Sequence, residues 1–302
     1  MNTINRGVYE VSSAGRSLVV DADPTLERRW ESIAPHLPGV LPAGLRAGAG
    51  PVTVQLPAGA ADGDARRVLN AHLHLLHLSH STLCVHAVAL QHPGDGRVAV
   101  LLGGHGAGKT LAALALARRG WRVLAGDVAL VECSSPGGQP RVLGGTAAFL
   151  ARRGPTRRWF PDLELAAAGP DRVDLSLLPG LREPLPLDLG AGGVSGVSVA
   201  AVVDVDGDPA AGTGTVEVLD THTAATVWWR ASGHLLERLL DNRAVVLRQL
   251  EDAAAASHRL ERVQNLAGVI RLHAVWGAPE MIADRIEDLA RTGTPAQTAE
   301  VD

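Results

Sequence analysis

The sequence predicts an α/β fold, a mixed sheet with flanking helices, preceded by a smaller α+β region at the N-terminus. Three observations carry this reading. Residues 97–120 pass from an apolar strand through a glycine-rich loop into an Ala- and Leu-rich helix. Val197 to Val205 (VSVAAVVDV) is a continuous apolar run, the pattern of a strand covered on both faces. Val269 to Trp276, followed by Glu280 to Arg291, repeats the strand-then-helix order. Residues 1–80 form the expected small region and 81–302 the main domain.

Val8 to Ser12, Ser17 to Val20 and Val52 to Leu56 read as short strands, with a short helix near Leu26 to Ile33 and a turn-rich stretch from Pro35 to Pro51. Residues 65–80 are helical, because Leu69, Leu73 and Leu76 recur at i, i+4 and i+7. Thr82 to Leu90 and Arg97 to Leu102 read as two strands joined by the turn Pro93-Gly94-Asp95-Gly96. Thr110 to Arg119 is a helix whose end is marked by Arg118, Arg119 and then Gly120. Trp121 to Glu132 is one more strand-like run, the Gly144-Gly145 pair reads as a turn, and Arg152 to Trp159 is basic and loop-like. Residues 233–256 read as one or two helices with an Ala-rich tail, and the residues from Thr292 onward as frayed.

Bulk composition narrows the function classes. Hydrophobic residues make up 46% of the 302, so a large core is affordable, yet aromatics are only 3%, so that core rests on Leu, Val and Ala. A net charge of −4 argues against nucleic-acid or membrane-surface partners. No apolar run reaches the roughly 18 residues a membrane helix needs, and the opening MNTINRGVYE holds no apolar leader segment. Cys84 and Cys133 have no zinc-type spacing and sit in apolar runs, so buried free thiols and a reducing cytoplasmic compartment are expected.

Gly103-Gly104-His105-Gly106-Ala107-Gly108-Lys109-Thr110 matches G-x-x-x-x-G-K-[ST] at every fixed position, after a strand and before a helix. Glycines let consecutive N–H groups turn inward around an anion, and the helix dipole adds positive potential behind it. Lys109 is then the partner of β- and γ-phosphate oxygens of ATP, and the Thr110 hydroxyl a Mg²⁺ ligand. His105 fills a variable position, so its backbone but not its side chain is assigned to the nucleotide. A carboxylate is still required. Asp127, 18 residues beyond Lys109, and Asp204, ending VSVAAVV, are the candidates.

The segment from Val85 to Val131 resembles the C-terminal catalytic domain of HPr kinase/phosphorylase and its kinase relatives, a P-loop kinase core of the HPr kinase type. That pattern has a strand histidine, a hairpin, the phosphate loop, a helix, then RG-x-x-L-x-A-D-D. His86 matches the histidine, Val123 stands in for the leucine, and Asp127 matches the second aspartate. The resemblance implies that Asp127 is general base and a possible metal ligand, and that His86 is a nearby acid or phosphate-contacting group. It departs at Gly126, which replaces the first aspartate, and the longer signature for HPr phosphorylation and phosphorolysis has no counterpart. Neither HPr nor phosphorylase activity is therefore carried over. The expected reaction is transfer of the γ-phosphate of ATP to a hydroxyl of a small molecule from a specialised pathway. A Ser or Thr of a peptide, a non-catalytic nucleotide-binding scaffold and an ATPase using Asp204 are the alternatives. The family includes hexamers, so a homo-oligomer is among the expected assemblies.

Bland readings compete at each position. His86 on an apolar strand can be a satisfied core histidine, and Asp127 can cap a turn or pair with an arginine. Asp204, with Asp206 and Asp208, reads most simply as a solvated strand end. His74 and His77 are expected on a polar stripe of their helix rather than around zinc. Arg152, Arg153, Arg157 and Arg158 either clamp an anion or form a solvated run, and Trp228-Trp229 could line an acceptor pocket.

Overall fold

The structure is a computed structural model and describes residues 6–133, 138–165, 169–175, 196–205, 215–240 and 243–292. Asp206 and Asp208 of the expected strand end, and the expected frayed tail from 293 onward, lie outside the described residues.

The N-terminal part comprises β1 (Gly7–Ser13), β2 (Arg16–Ala22), α1 (Thr25–Ile33), β3 (Val40–Ala47), β4 (Val54–Gln55) and α2 (Asp62–Ser79). Its strands form one sheet in the order β3-β1-β2-β4. Ala14 and Gly15 both take positive φ (44° and 77°), the geometry that turns a tight hairpin between β1 and β2. β3 falls inside the stretch the sequence reads as turn-rich. Pro42 and Gly44 disguise it, but β3 is an edge strand bonded only to β1, where a missing N–H is tolerated. Leu26, Trp30 and Ile33 of α1 and Leu69 and Leu73 of α2 share a core with Leu236, Leu240 and Leu247. The far end of the chain thus helps to build the N-terminal region.

The α2 histidines are a correction to the polar-stripe reading, since His74 and His77 are buried. The Ser13 hydroxyl donates to Pro38 O at 2.7 Å, so it accepts from His77 Nε2 at 2.7 Å, which places a proton on that nitrogen. Burial pushes both histidines down to about 4.

The remainder runs β5 (Thr82–His86), β6 (Val88–Gln91), β7 (Val98–Leu102), α3 (Lys109–Arg118), β8 (Arg122–Ala125), β9 (Val128–Glu132), β10 (Arg141–Gly145), β11 (Leu150–Arg152), α4 (Arg153–Trp159), β12 (Arg172–Asp174), β13 (Val197–Val205), β14 (Thr215–Val218), α5 (Thr221–Gly233), β15 (Leu239–Leu240), β16 (Arg243–Val246), α6 (Ala253–Val269), β17 (Leu272–Gly277) and α7 (Pro279–Thr292). The architecture is mixed α/β. A six-stranded sheet has the order β14-β17-β13-β7-β6-β8, with β17, β13 and β7 parallel and the others antiparallel. Alternation along β7 explains its unbroken apolar sequence: Ala99 and Leu101 pack with α3 and α7, while Val98, Val100 and Leu102 pack with α5 and α6. No helix among the described residues is long and apolar enough to cross a membrane. Both cysteines are free and buried, and burial raises both thiols, Cys133 to about 12.

Two strands expected as single runs are each broken. Residues 82–91 divide into β5 and β6 at Ala87, and 122–132 into β8 and β9 at Gly126-Asp127. β5 pairs with β9 in a second sheet, β10-β9-β5, while β6 pairs with β8 in the main one. One antiparallel ribbon therefore passes from sheet to sheet and opens at Asp127. Other differences are local. Gly144-Gly145 ends a strand rather than making a turn, and Arg153–Trp159 is a short helix, held by the Thr156 hydroxyl donating to Arg152 O (2.8 Å) and by buried Phe160. Residues 234–240 and 243–250 form short 3₁₀ turns and strands, and the Ala-rich tail opens α6 behind an Asp252 cap that accepts from Ala255 N (2.8 Å). α5 was not expected. It makes Trp228 a fully buried core residue and sets Trp229 beneath the Arg259 guanidinium at 3.5 Å, so neither forms an acceptor pocket.

Candidate active site

The loop between β7 and α3 has Gly103, Gly106 and Gly108 at φ of 148°, 88° and 86°, where side chains are strained. A Cβ at Gly108 would stand 2.3 Å from Val205 Cγ2, and one at Gly103 would stand 2.8 Å from Val203 O. Val205 N donates to Ala107 O at 2.9 Å. The loop is thus seated on the carboxyl end of β13, which only glycines allow. Its other side is open, since a Cβ at Gly104 or Gly106 would meet nothing within 4 Å. Lys109 opens α3, and its Nζ donates to Gly103 O (2.9 Å) and Gly104 O (3.3 Å). Burial pushes the ammonium down to about 8, and the negative charge of Asp127 opposes that shift. Thr110 follows on the first turn of α3.

Asp127 occupies the opening in the ribbon. Thr146, just past β10, fastens the backbone there with four bonds. Its Oγ1 accepts from Asp127 N (2.9 Å) and Val128 N (3.0 Å), its carbonyl accepts from Gly126 N (2.9 Å), and its own N–H donates to Val128 O (2.9 Å). Thr146 alone thus satisfies the N–H groups of three successive residues, Gly126 to Val128. The Asp127 side chain keeps 62% of its accessible surface, so an incoming molecule can reach it. His86 Nε2 lies 3.4 Å from Asp127 Oδ1. The His86 ring stacks on His234, with centroids 3.8 Å apart and planes 10° from parallel. Desolvation raises the Asp127 carboxyl, but the His86 hydrogen bond and the electrostatic influence of His86, His234 and Lys109 outweigh it and hold it at about 2. Burial first, then His86 and Arg238, push His234 down to about 3. Arg238 donates to His234 Nε2 at 2.8 Å, which fits a neutral imidazole.

The structure therefore gathers Asp127, His86 and Lys109 into one electrostatically coupled group. Gly126 replaces the aspartate of the resembling pattern for a steric reason. A Cβ there would stand 2.1 Å from Ala148 O. Asp204 is exposed near the end of β13, beside Val205, which anchors the loop. His105 does have a side-chain partner, Arg152 (2.7 Å from its Nε2), so one of the basic residues near 152–158 touches the loop. Sequence reasoning missed Thr146 and His234. The Gly144-Gly145-Thr146 run was a usable signal, because a Cβ at Gly145 would stand 2.1 Å from Val128 O. His234 gave no local signal. A cavity of about 270 Å³ adjoins Asp127, with Gly126, Val128, Thr146 and His234 in its wall.

No protein-family model matches the chain, and no curated protein matches it significantly.

Proposed function

We propose that the chain is an ATP-dependent kinase of the HPr kinase-like type, acting in the cytoplasm and transferring the γ-phosphate to a hydroxyl group. One observation carries the reading: a reachable carboxylate at a ribbon opening is electrostatically coupled to the lysine of a glycine-built phosphate loop. The residues present fit a nucleotide triphosphate and Mg²⁺. A buried ammonium sits under a loop whose open side lies at Gly104 and Gly106, and Thr110 and Asp127 offer the hard oxygen donors Mg²⁺ prefers. When bound, Mg²⁺ neutralises charge on the phosphate oxygens.

Lys109 releases the loop carbonyls and takes up phosphate oxygens. Asp127 accepts a hydrogen bond from the acceptor hydroxyl and points its oxygen at the γ-phosphorus. The new P–O bond forms as the bond to the β-phosphate oxygen breaks, ADP leaves, and the hydroxyl proton passes to Asp127. A carboxylate held at about 2 is a weak base. Phosphoryl transfer tolerates this, because its loose transition state asks mainly for positioning. His86, braced by His234, holds Asp127 in place. A small-molecule alcohol is the favoured acceptor, with a peptide Ser or Thr the alternative.

The test is γ-labelled ATP incubated with hydroxylated metabolites and peptides, with products identified by mass. Lys109→Ala should abolish nucleotide binding, whereas Asp127→Asn should bind ATP and lose transfer. The exposed position of Asp204 beside the loop keeps an ATPase as second reading. That reading wins if Asp204→Asn stops turnover and Asp127→Asn does not.

A further inference from the structure

The cavity beside Asp127 has a wall far more cationic than a hydroxyl needs. Four arginines line it, Arg66, Arg67, Arg172 and Arg238, and Asp127 is the only carboxylate among the lining residues. Arg67 bonds Asp64 at 2.9 Å. Arg66 on α2 and Arg172 on β12 form no ion pair among the described residues. Arg238 spends one N–H on His234 (2.8 Å) and forms no ion pair among the described residues. Asp64 on Arg67 and the charge of Asp62 felt by Arg66 are counter-charges on α2, but Arg67 and Arg172 still repel Arg66, and an arriving anion would relieve that repulsion.

The placement separates this charge from the nucleotide. No residue of 103–110 lines the cavity, although His105 in that loop feels the charges of Arg172 and Arg238. Asp127 borders it. Asn70, also in the wall, donates to His36 O at 3.3 Å. A volume of about 270 Å³ suits a small molecule or a short chain terminus.

We infer that this cavity receives the acceptor, and that the acceptor carries a carboxylate or phosphate bound by Arg66, Arg172 and Arg238 while its hydroxyl meets Asp127. The inference rests on the kinase reading and narrows its substrate class. It also gives the N-terminal region a role, since Arg66 and Asn70 come from α2 and His36 from the turn after α1.

The probes are inorganic phosphate and glycerate, with glycerol as the neutral control, titrated calorimetrically into the full chain saturated with Mg²⁺ and a non-hydrolysable ATP analogue. Filling the nucleotide site first removes binding of the anion to the phosphate loop. Binding of at least one anion is expected, weakened about tenfold or more in Arg66→Gln and Arg172→Gln, with analogue affinity changed less than about twofold. Arg172 is exposed, so its variant keeps the test informative if Arg66→Gln fails to fold. Binding of neither anion, binding unchanged in both variants, or glycerol bound as well as glycerate would overturn the inference. Failure of the kinase reading shows separately, as analogue binding that is absent or that survives Lys109→Ala.

Discussion

Replacing Thr146 by Val keeps the shape of a buried side chain and removes only its oxygen. In the native chain that oxygen accepts from Asp127 N at 2.9 Å and Val128 N at 3.0 Å. Valine leaves both donors without that acceptor. The Val128 N–H is buried and should lose roughly 1–3 kcal/mol, and the partly buried Asp127 N–H about 1 kcal/mol. The sum, about 2–4 kcal/mol, should lower the urea midpoint by roughly 1 M. If Asp127 is the proposed base, the functional effect should be larger than the stability effect suggests, because displacing such a carboxylate by about 1 Å can cost on the order of 10²-fold in rate. ATP affinity should change little, since the loop is anchored on β13 and not on Thr146. Chemical denaturation and calorimetric ATP titration of Thr146→Val and Thr146→Ser measure both effects, with transfer assayed alongside. Serine restores the acceptor and should recover most of the loss. A valine variant with native midpoint and native transfer would refute the reasoning.

Gly126→Asp, which restores the aspartate of the resembling pattern, should impair the protein, because its Cβ would lie 2.1 Å from Ala148 O. Differential scanning fluorimetry and transfer assays should both register a decrease. Lys109 has a folded pKa lowered to about 8 from 10.5, so the burial penalty is fully present below pH 8 and disappears as pH rises through 8 to 10.5. A triphosphate reverses that shift. ATP binding near pH 8 should therefore take up a proton, visible by calorimetry in buffers of different ionisation enthalpy, and ATP affinity should fall above pH 8. Arg259 and Glu251 form a pair at 2.6 Å with side chains 0% and 3% exposed. Glu251→Ala should cost about 3–5 kcal/mol by urea denaturation, since it strands a buried guanidinium, while leaving ATP affinity near native.

What the sequence made legible is local. The glycine-rich loop at 103–110 is a contiguous pattern whose glycines answer to nearby backbone needs, and β7, β13 and α3 follow from short apolar runs. The opening at Asp127 was hidden because Ala87 leaves one apolar run unbroken, Gly126-Asp127 interrupts the other by only two residues, and the break depends on Thr146 arriving from β10. α5 was hidden by the weak helix formers in THTAATVWWR, whose burial of Trp228 outweighs propensity. β3 was hidden by Pro42 and Gly44, which matter less at a sheet edge. The stack of His234 on His86 and the convergence of Arg66, Arg172 and Arg238 involve residues far apart in the chain, so no window of sequence contains them.

The central claim is that Asp127 stands where an acceptor hydroxyl meets the γ-phosphate. A crystal structure of the protein with Mg²⁺ and a non-hydrolysable ATP analogue tests it most directly, through the distance from the Asp127 carboxylate to the γ-phosphorus. The account predicts about 4–6 Å, room for one oxygen in line between them. A carboxylate turned away from the nucleotide, roughly 10 Å or more from that phosphorus, would contradict it.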